Sequence, residues 1–246
     1  MTTDRRHGVA RTLSKLGLAS RTTAAGWVRD GRVAVNGQVV RDPEFPVRQS
    51  GDLLRIDGQA VVATERIHVM LNKPRGLVTT TADELGRQTV YRCFDGAGLP
   101  WLAPVGRLDK ASEGLLLFSN DPQWAARITD PATGPDKTYH VQVAARPSPD
   151  LLRHLVAGTD VAGEQLAAAS AELLRTGEKN SWLSIVLAEG RNRHIRRLLE
   201  AHDIAVLRLI RVAIGGLALG GLAKGKWRRL GNADLAALGA TTSDSG

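Results

Sequence analysis

Residues 104–121 read PVGRLDKASEGLLLFSND, a stretch that predicts one core strand and the loop that leads into it. Gly106 permits a sharp turn near the start of this stretch. The apolar run Leu115–Phe118 is short and ends in turn residues, which is typical of a buried strand. Asp109 therefore lies in a loop that a rigid strand can hold in place for catalysis. Taken alone, GRLD favours a surface turn in which Arg107 pairs with Asp109.

Around this stretch, short apolar or alternating segments predict further strands and helices. The predicted strands are His68–Leu71, Gly114–Ser119, Thr138–Ala144, Ser181–Ala188 and Val206–Ile214. The predicted helices are Pro122–Ile128, Pro149–Val156, Arg193–Ala201 and Ala233–Leu238. Ser148 and Pro149 form an N-cap followed by an N1 proline, and Asn192 and Asn232 are candidate caps of the last two helices. The small, polar tail at 241–246 is predicted to be disordered.

The first 62 residues form a separate pattern. Apolar residues recur at near-helical spacing in Val9–Leu18, and Ser20 can cap a second helix, Arg21–Asp30, that ends at Gly31. Two hairpins follow, Val33–Val40 turning at Asn36-Gly37 and Leu53–Val62 turning at Asp57-Gly58. Both dipeptides accept the positive φ angles of type I′ turns.

The charge of the chain is unevenly distributed. The net charge is +8 over 246 residues, of which 43% are hydrophobic and 24% are charged. Residues 1–62 carry 10 Lys or Arg against 6 Asp or Glu, and residues 176–230 carry 11 against 4. Such clustering indicates a polyanion partner such as nucleic acid or an anionic membrane surface, whereas the net charge alone is equally consistent with a role in solubility.

Several classes of protein are disfavoured by what the sequence lacks. Cys93 is the single cysteine, so no intramolecular disulfide forms, and the six histidines have no metal-ligand spacing. No apolar run approaches a membrane span, and the polar N-terminus has no signal-peptide core. The sequence has neither a P-loop nor a carboxylate cluster for Mg²⁺, which disfavours phosphoryl transfer. We therefore expect a cytoplasmic, monomeric protein that needs no cofactor, no metal and no membrane.

The segment at 11–37, RTLSKLGLASRTTAAGWVRDGRVAVNG, combines two short helices with outward-facing cations. The predicted phosphate-binding side chains are Arg11, Lys15, Arg21, Arg29 and Arg32. Charge alone explains these residues as a solvated face. The run LGLASR…VRDGRVAVNG, however, resembles the S4 RNA-binding domain over about residues 9–62. That resemblance implies a helix pair and a small sheet that grip structured RNA through its backbone and shape.

The full string at 104–121 resembles the catalytic signature of the ribosomal small- and large-subunit pseudouridine synthases. The resemblance implies that Asp109 is the essential residue. One carboxylate suits the reaction, which breaks the N-glycosidic bond, turns the uracil and rejoins it through C5. The carboxylate acts either as a nucleophile or as a base that abstracts a sugar proton. In both routes the uridine must first leave its stack.

Three further motifs match the same family. In KTYHVQVAA at 137–145, Tyr139 reads from sequence as a half-buried core tyrosine, and the resemblance makes it the residue that stacks on the uracil. In LAEGRNRHIRRLLEAHD at 187–203, a surface helix held by pairs such as Arg196–Glu200 is the simpler interpretation. The resemblance instead pairs Arg196 with Asp109 and keeps it ionised. The residues of this motif predicted to contact RNA are Arg191, Arg193 and Arg197.

The third of these motifs is VLRLIRVAIGGL at 206–217. Leu209 is a core leucine by pattern, and the resemblance makes it an apolar wall of the base pocket. Arg211 of the same strand is predicted to contact RNA, and Arg107 to support the active site.

Together these motifs predict two domains of an α+β protein. An S4-like α/β RNA-binding domain at 8–62 is joined by a linker, Ala63–Arg66, to a catalytic domain at 67–240 with a mixed, mostly antiparallel sheet flanked by helices. The expected function is isomerisation of a uridine in ribosomal RNA before full assembly, and EGRNR followed by RR favours the large subunit. The alternatives are a non-catalytic S4-type ribosome-assembly factor and a synthase acting on small-subunit rRNA or tRNA.

Overall fold

The computed structural model describes residues 6–48, 51–62, 64–81 and 85–239. The predicted disordered tail lies outside these ranges, as does Ala63 of the predicted linker. The chain divides into two compact units. The first consists of Met1–His68, Ala97–Ala103 and Phe118–Gln123, and the second of Val69–Gly96, Pro104–Leu117 and Trp124–Gly246. The first unit thus includes two segments that the predicted domain boundary assigns to the catalytic domain.

The N-terminal region contains two helices and six short strands in its described part. They are β1 His7–Gly8, α1 Val9–Lys15, α2 Arg21–Arg29, β2 Val33–Val35, β3 Gln38–Val40, β4 Pro46–Val47, β5 Leu54–Ile56 and β6 Gln59–Ala60. The four-stranded sheet has the order β3-β2-β5-β6, and β1 pairs with β4. The Ser20 hydroxyl accepts a hydrogen bond from the Thr23 amide and caps α2 as predicted, and Gly31 has a φ of +74°.

Both predicted hairpin turns form. Asn36 and Gly37 have φ angles of 52° and 86°, and Asp57 and Gly58 have φ angles of 51° and 80°. Two consecutive positive φ angles define the type I′ turn, whose twist matches that of the flanking strands. The buried core of this region joins both helices to the sheet and includes Val9, Leu13, Ala24, Val28, Val33 and Val35.

The rest of the described chain alternates strands and helices. Its first half contains β7 His68–Lys73, a 3₁₀ helix Val90–Phe94, β8 Ala103–Val105, β9 Glu113–Ser119, α3 Pro122–Thr129, β10 Lys137–Val143 and α4 Pro149–Ala157. Its second half contains β11 Thr159–Val161, β12 Glu164–Leu166, β13 Ser170–Thr176, β14 Ser181–Leu187, α5 His194–Glu200, β15 Val206–Ile214, β16 Leu217–Ala218, β17 Trp227–Arg229 and α6 Asn232–Ala237.

A mixed sheet organises this region. Within the described residues it has nine strands, in the order β13-β14-β10-β15-β9-β7-β17, with β16 on β15 and β8 on β9. The β10 strand is antiparallel to both β14 and β15, whereas β15 and β9 run parallel. A separate two-stranded ribbon pairs β11 with β12. The α+β fold with a mixed, mostly antiparallel sheet is therefore confirmed.

Two of the predicted helix caps are wrong. Arg193, not Asn192, is the N-cap of α5, and it has a left-handed φ of 48° with no side-chain cap. Gly231 precedes α6, and Asn232 is the first residue of that helix. In α6 the Asp234 carboxylate instead accepts a hydrogen bond from the amide of the N-cap residue, Gly231, at 2.9 Å.

Gly114 fixes the junction between β9 and β15. It has a φ of +100°, and a Cβ atom at this position would lie 2.2 Å from the backbone oxygen of Arg211. The parallel register places Gly114 opposite Arg211, so neither strand can withdraw without breaking the pairing. Only glycine allows this approach.

We expect Gly114→Ala to lower the free energy of unfolding by about 2 kcal/mol or more, because both backbones are held in the sheet. Gly76→Ala is the matched control, since Gly76 has a φ of +98° but open space around it. Denaturant unfolding of the two variants separates the clash from the φ strain that they share. Equal destabilisation would show that the close approach contributes nothing.

Candidate active site

A cavity of about 460 Å³ opens on one face of the mixed sheet. Its walls come from the loop before β9, from β10 and β15, and from the segment that leads into α5. Seven of the predicted site residues line it: Arg107, Asp109, Tyr139, Arg191, Arg193, Leu209 and Arg211. Residues separated by about a hundred positions in the sequence are thus brought to one concave surface of a size typical of ligand sites.

The loop that carries Asp109 is held by backbone hydrogen bonds at several points. The Ser112 amide donates to the Asp109 oxygen at 2.9 Å, and the Gly76 amide donates to the Lys110 oxygen at 2.7 Å. The Thr79 hydroxyl donates to the Leu108 oxygen at 2.8 Å. The segment that follows β7 therefore holds the loop in place through Gly76 and Thr79.

Lys73 is the central contact beneath this loop. It is 0% exposed, and its Nζ donates to the backbone oxygens of Pro74 at 3.2 Å, Asp109 at 3.1 Å and Ser112 at 2.8 Å. Burial lowers the pKa of Lys73 to about 8, against the opposing effect of the Asp109 and Glu113 carboxylates. The sequence analysis missed this residue, although a lysine at the end of the apolar strand HVMLNK was a usable signal.

Glu113 anchors the start of β9. Its buried carboxylate accepts two hydrogen bonds from Arg208, at 2.7 and 3.0 Å, and pairs with Lys224 at 2.5 Å. The hydrogen bond from Arg208 is the largest of the effects that lower the pKa of Glu113 to about 2. This carboxylate stabilises the fold through its ion pairs with Arg208 and Lys224. No sequence motif singled it out.

Tyr139 and Leu209 form buried walls of the cavity on adjacent strands. The register places Tyr139 opposite Arg211 and Val141 opposite Leu209. Arg211 is only 5% exposed, and its Nε donates to the Leu115 oxygen at 2.7 Å. It is therefore a buried cation in the cavity wall, and its predicted contact with RNA stays a prediction.

Arg196 lies near Asp109 without touching it. No ion pair joins Arg196 to Asp109 or to Glu200 in the described part of the chain, and its guanidinium donates to the Val206 oxygen at 3.4 Å. Burial and the neighbouring Arg193 lower the pKa of Arg196, while the Asp109 carboxylate acts in the opposite direction. The direct pairing predicted from sequence is absent here, although the electrostatic attraction is present.

Two arginines beside the cavity are already paired with Glu164 of β12. Arg191 binds Glu164 at 3.1 Å and Glu189 at 2.7 Å, and Arg197 binds Glu164 at 2.6 Å. Their guanidinium groups also donate to the backbone oxygens of Gln165 and Val161. The ribbon of β11 and β12 thus holds two of the predicted RNA contacts.

The cations of the N-terminal region that are predicted to bind RNA differ in whether another side chain already binds them. Arg21 pairs with Glu44 at 2.8 Å, and Arg32 forms a bidentate pair with Asp57. The Nζ of Lys15 lies 3.0 Å from the His7 ring. Arg11 and Arg29 are exposed, and within the described ranges neither side chain forms an ion pair.

Among the described residues, no group of three or more His, Cys, Asp or Glu side chains could hold a metal ion. None of the helices there has the length and apolar character needed to cross a membrane.

Comparison with known proteins assigns the chain to a family. The profile of the S4 domain matches residues 9–54, and the profile described as RNA pseudouridylate synthase matches residues 67–201. A Bacillus subtilis protein named ribosomal large subunit pseudouridine synthase B is 36% identical over 224 residues, which cover 89% of this chain and 90% of the relative. The chain belongs to the RNA pseudouridine synthase family.

Other comparisons agree with this assignment. A Mycobacterium bovis protein described as an uncharacterized RNA pseudouridine synthase is 34% identical over 231 residues, covering 93% of this chain and 91% of the relative. The crystal structure of a pseudouridylate synthase superposes with a TM-score of 0.65 at 30% identity, covering 95% of this chain and 99% of that one. The chain is therefore an RNA pseudouridine synthase with an S4 domain, as the sequence predicted.

In this synthase the charge state of Lys73 should control activity. Its ammonium group has three N–H donors for three carbonyl oxygens, and the neutral amine has only two. We expect kcat to fall as the pH rises through about 8, the pKa of Lys73, because the Asp109 loop loses a donor.

Lys73→Met should lower kcat by roughly 10- to 100-fold at saturating RNA and abolish the loss above pH 8. The measurement is the rate of pseudouridine formation against pH for both proteins, with circular dichroism to confirm folding. If Lys73→Met showed the same pH profile as the wild type, Lys73 would not control the loop.

Glu164 should compete with RNA for Arg191 and Arg197. We expect Glu164→Gln to tighten RNA binding by roughly two- to fivefold at low salt and to steepen the salt dependence, because Arg197 is released and Arg191 keeps only its pair with Glu189. Glu172→Gln is the control, since Glu172 on β13 is exposed and forms no ion pair in the described structure. Fluorescence anisotropy with labelled RNA measures both, and weaker binding by Glu164→Gln would mean that Glu164 positions the arginines instead.

Proposed function

We propose that this synthase isomerises a uridine of large-subunit ribosomal RNA, with Asp109 as the catalytic carboxylate. The observation that carries the proposal is the state of the two carboxylates that line the cavity. Glu189 is held by Arg191, whereas the Asp109 carboxylate has no hydrogen bond or ion pair among the described residues. Asp109 is therefore free to act on a ligand in the cavity.

The surrounding charges suit a reactive carboxylate. Lys73 donates to the backbone of the Asp109 loop and Arg196 lies near it, so two cations accompany this carboxylate. Neither cation neutralises it by direct contact. A carboxylate without a protein partner can attack as a nucleophile or remove a sugar proton, and both routes remain open.

The walls of the cavity suit a flipped base. Tyr139 offers an aromatic ring and Leu209 an apolar surface, and stacking of a base on an aromatic ring contributes about 1–3 kcal/mol. In the reaction the bond from N1 to the sugar breaks, C5 bonds to the sugar carbon in its place, the C5 proton leaves, and N1 takes up a proton. Atoms balance without an external reagent.

Ribosomal RNA is the substrate that the remaining observations favour. The S4 domain suits a grip on folded RNA away from the reacting base, and exposed cations such as Arg11 and Arg29 suit phosphate contacts. The Bacillus subtilis relative is named for the ribosomal large subunit. We also propose a cytoplasmic monomer that acts before the subunit is fully assembled, since a folded subunit would hide such a stem-loop. A non-catalytic assembly factor would have no use for the unpaired Asp109.

We expect Asp109→Asn to lower kcat by a factor of roughly 10,000 or more while leaving RNA affinity nearly unchanged. Asparagine keeps the shape but can neither attack nor take a proton. Glu189→Gln is the matched control in the same cavity and should retain most of the activity. Activity of Asp109→Asn within severalfold of wild type would remove this residue from the mechanism.

The substrate assignment is tested by offering transcribed large-subunit rRNA fragments, small-subunit rRNA and tRNA side by side. We expect modification of a stem-loop uridine in a large-subunit fragment, read out by mapping pseudouridine at single-nucleotide resolution. Efficient modification of tRNA or small-subunit rRNA without the large-subunit fragments would overturn the substrate and leave the enzyme class intact.

A further inference from the structure

A second cavity, of about 340 Å³, lies beside the first. Its charged lining consists of Arg193 and Arg196 from the start of α5, with Glu200 and Asp203 from its end. Ile204 and the two residues after it complete the wall with apolar surface. Arg193 lines both cavities, so the second site is contiguous with the predicted active site.

In the described structure, the arginines of this second cavity do not form ion pairs with its carboxylates, Glu200 and Asp203. The Nε of Arg196 is buried and has no hydrogen-bond partner among the described residues. A buried unpaired donor is costly, and rotation of the Arg196 guanidinium towards the cavity that it lines would let a ligand acceptor satisfy it.

We propose that this cavity binds an unpaired guanine of the RNA substrate, next to the target uridine. The proposal rests on the proposed function, since it assumes an RNA stem-loop in the first cavity. Single-stranded RNA is recognised through bases that leave their stack and bond along their Watson–Crick and Hoogsteen edges. A base therefore fits a site that presents donors and acceptors side by side.

Guanine matches the charges better than the other bases. Its O6 and N7 accept from a guanidinium group, and its N1–H and N2–H₂ donate to a carboxylate. Glu200 and Asp203 are the acceptors for the donor edge, and Arg193 and Arg196 are the donors for the acceptor edge. The two carboxylates repel a phosphate, which argues against a backbone contact at this site.

Occupation of this site would also act on the chemistry. Arg196 lines the second cavity, and the Asp109 carboxylate acts to raise its pKa against the larger effect of burial. A guanine acceptor on Nε would hold the Arg196 guanidinium in one orientation beside Asp109. Guanine recognition should therefore raise kcat as well as affinity, because binding energy is used to arrange the catalytic group.

The direct test is an NMR titration of the full chain with guanosine, adenosine, cytidine and uridine. Guanosine should shift the amide signals of residues 193–206 at concentrations at least about tenfold below the other nucleosides. The shifts should weaken in Glu200→Gln/Asp203→Asn, whose neutral amide oxygens accept less strongly than carboxylates and which keeps side-chain shape and the left-handed φ of 58° at position 203. Glu172→Gln should leave them unchanged. Absence of a guanosine preference in the wild type would overturn the proposal, whatever RNA the enzyme modifies.

The kinetic test uses a hairpin that the enzyme modifies, with each unpaired guanosine replaced in turn by inosine, which lacks the N2 amino group. One position should lower kcat/KM by about tenfold or more, and part of the loss should be in kcat. The double variant should discriminate less than the wild type between guanosine and inosine at that position. Equal discrimination by wild type and variant would refute the site, whereas inactivity towards every RNA would count against the proposed function instead.

Discussion

Lys73 carries its ammonium group into the interior beneath the Asp109 loop, where solvent does not reach it. Burial of a charge is costly unless every donor finds an acceptor, and here three backbone oxygens accept the three N–H groups. Two of those oxygens belong to Asp109 and Ser112, so the bonds that stabilise the charge also fix the loop. The same charge lies beneath the carboxylate that the proposed reaction needs. The position of the loop and the electrostatic field at Asp109 therefore have one physical origin.

Much of the fold could be predicted because the decisive signals are local. The turns at Asn36-Gly37 and Asp57-Gly58, and the caps at Ser20 and Ser148, depend on residues a few positions apart. The strand β13 was missed because its side chains are exposed at the sheet edge, and SAELLRT has no apolar alternation. The cap assigned to Asn192 was wrong because Arg193, in a left-handed conformation, precedes the first helical residue.

The site was predictable as a set of residues and less so as a set of contacts. Asp109, Tyr139 and Leu209 share one cavity as the motifs implied. Motifs do not reveal which cations are free, because pairing depends on the folded surroundings. The pairing of Arg191 with Glu164, which lies 27 positions earlier, could not be read from spacing. The net charge therefore overstates the number of cations that are available to RNA, because some of them are already paired with carboxylates.

The central claim is that a braced, unpaired Asp109 meets a uridine flipped into the cavity of Tyr139 and Leu209. The most direct measurement is a crystal structure of the full chain with a substrate hairpin whose target uridine is replaced by 5-fluorouridine, because fluorine at C5 blocks loss of the C5 proton. We expect the base to lie out of its stack in this cavity, with a carboxylate oxygen of Asp109 within about 3.5 Å of the reacting atoms. We also expect the Lys73 bonds to the loop to persist. A base bound elsewhere, or an Asp109 carboxylate turned away from it, would contradict the account.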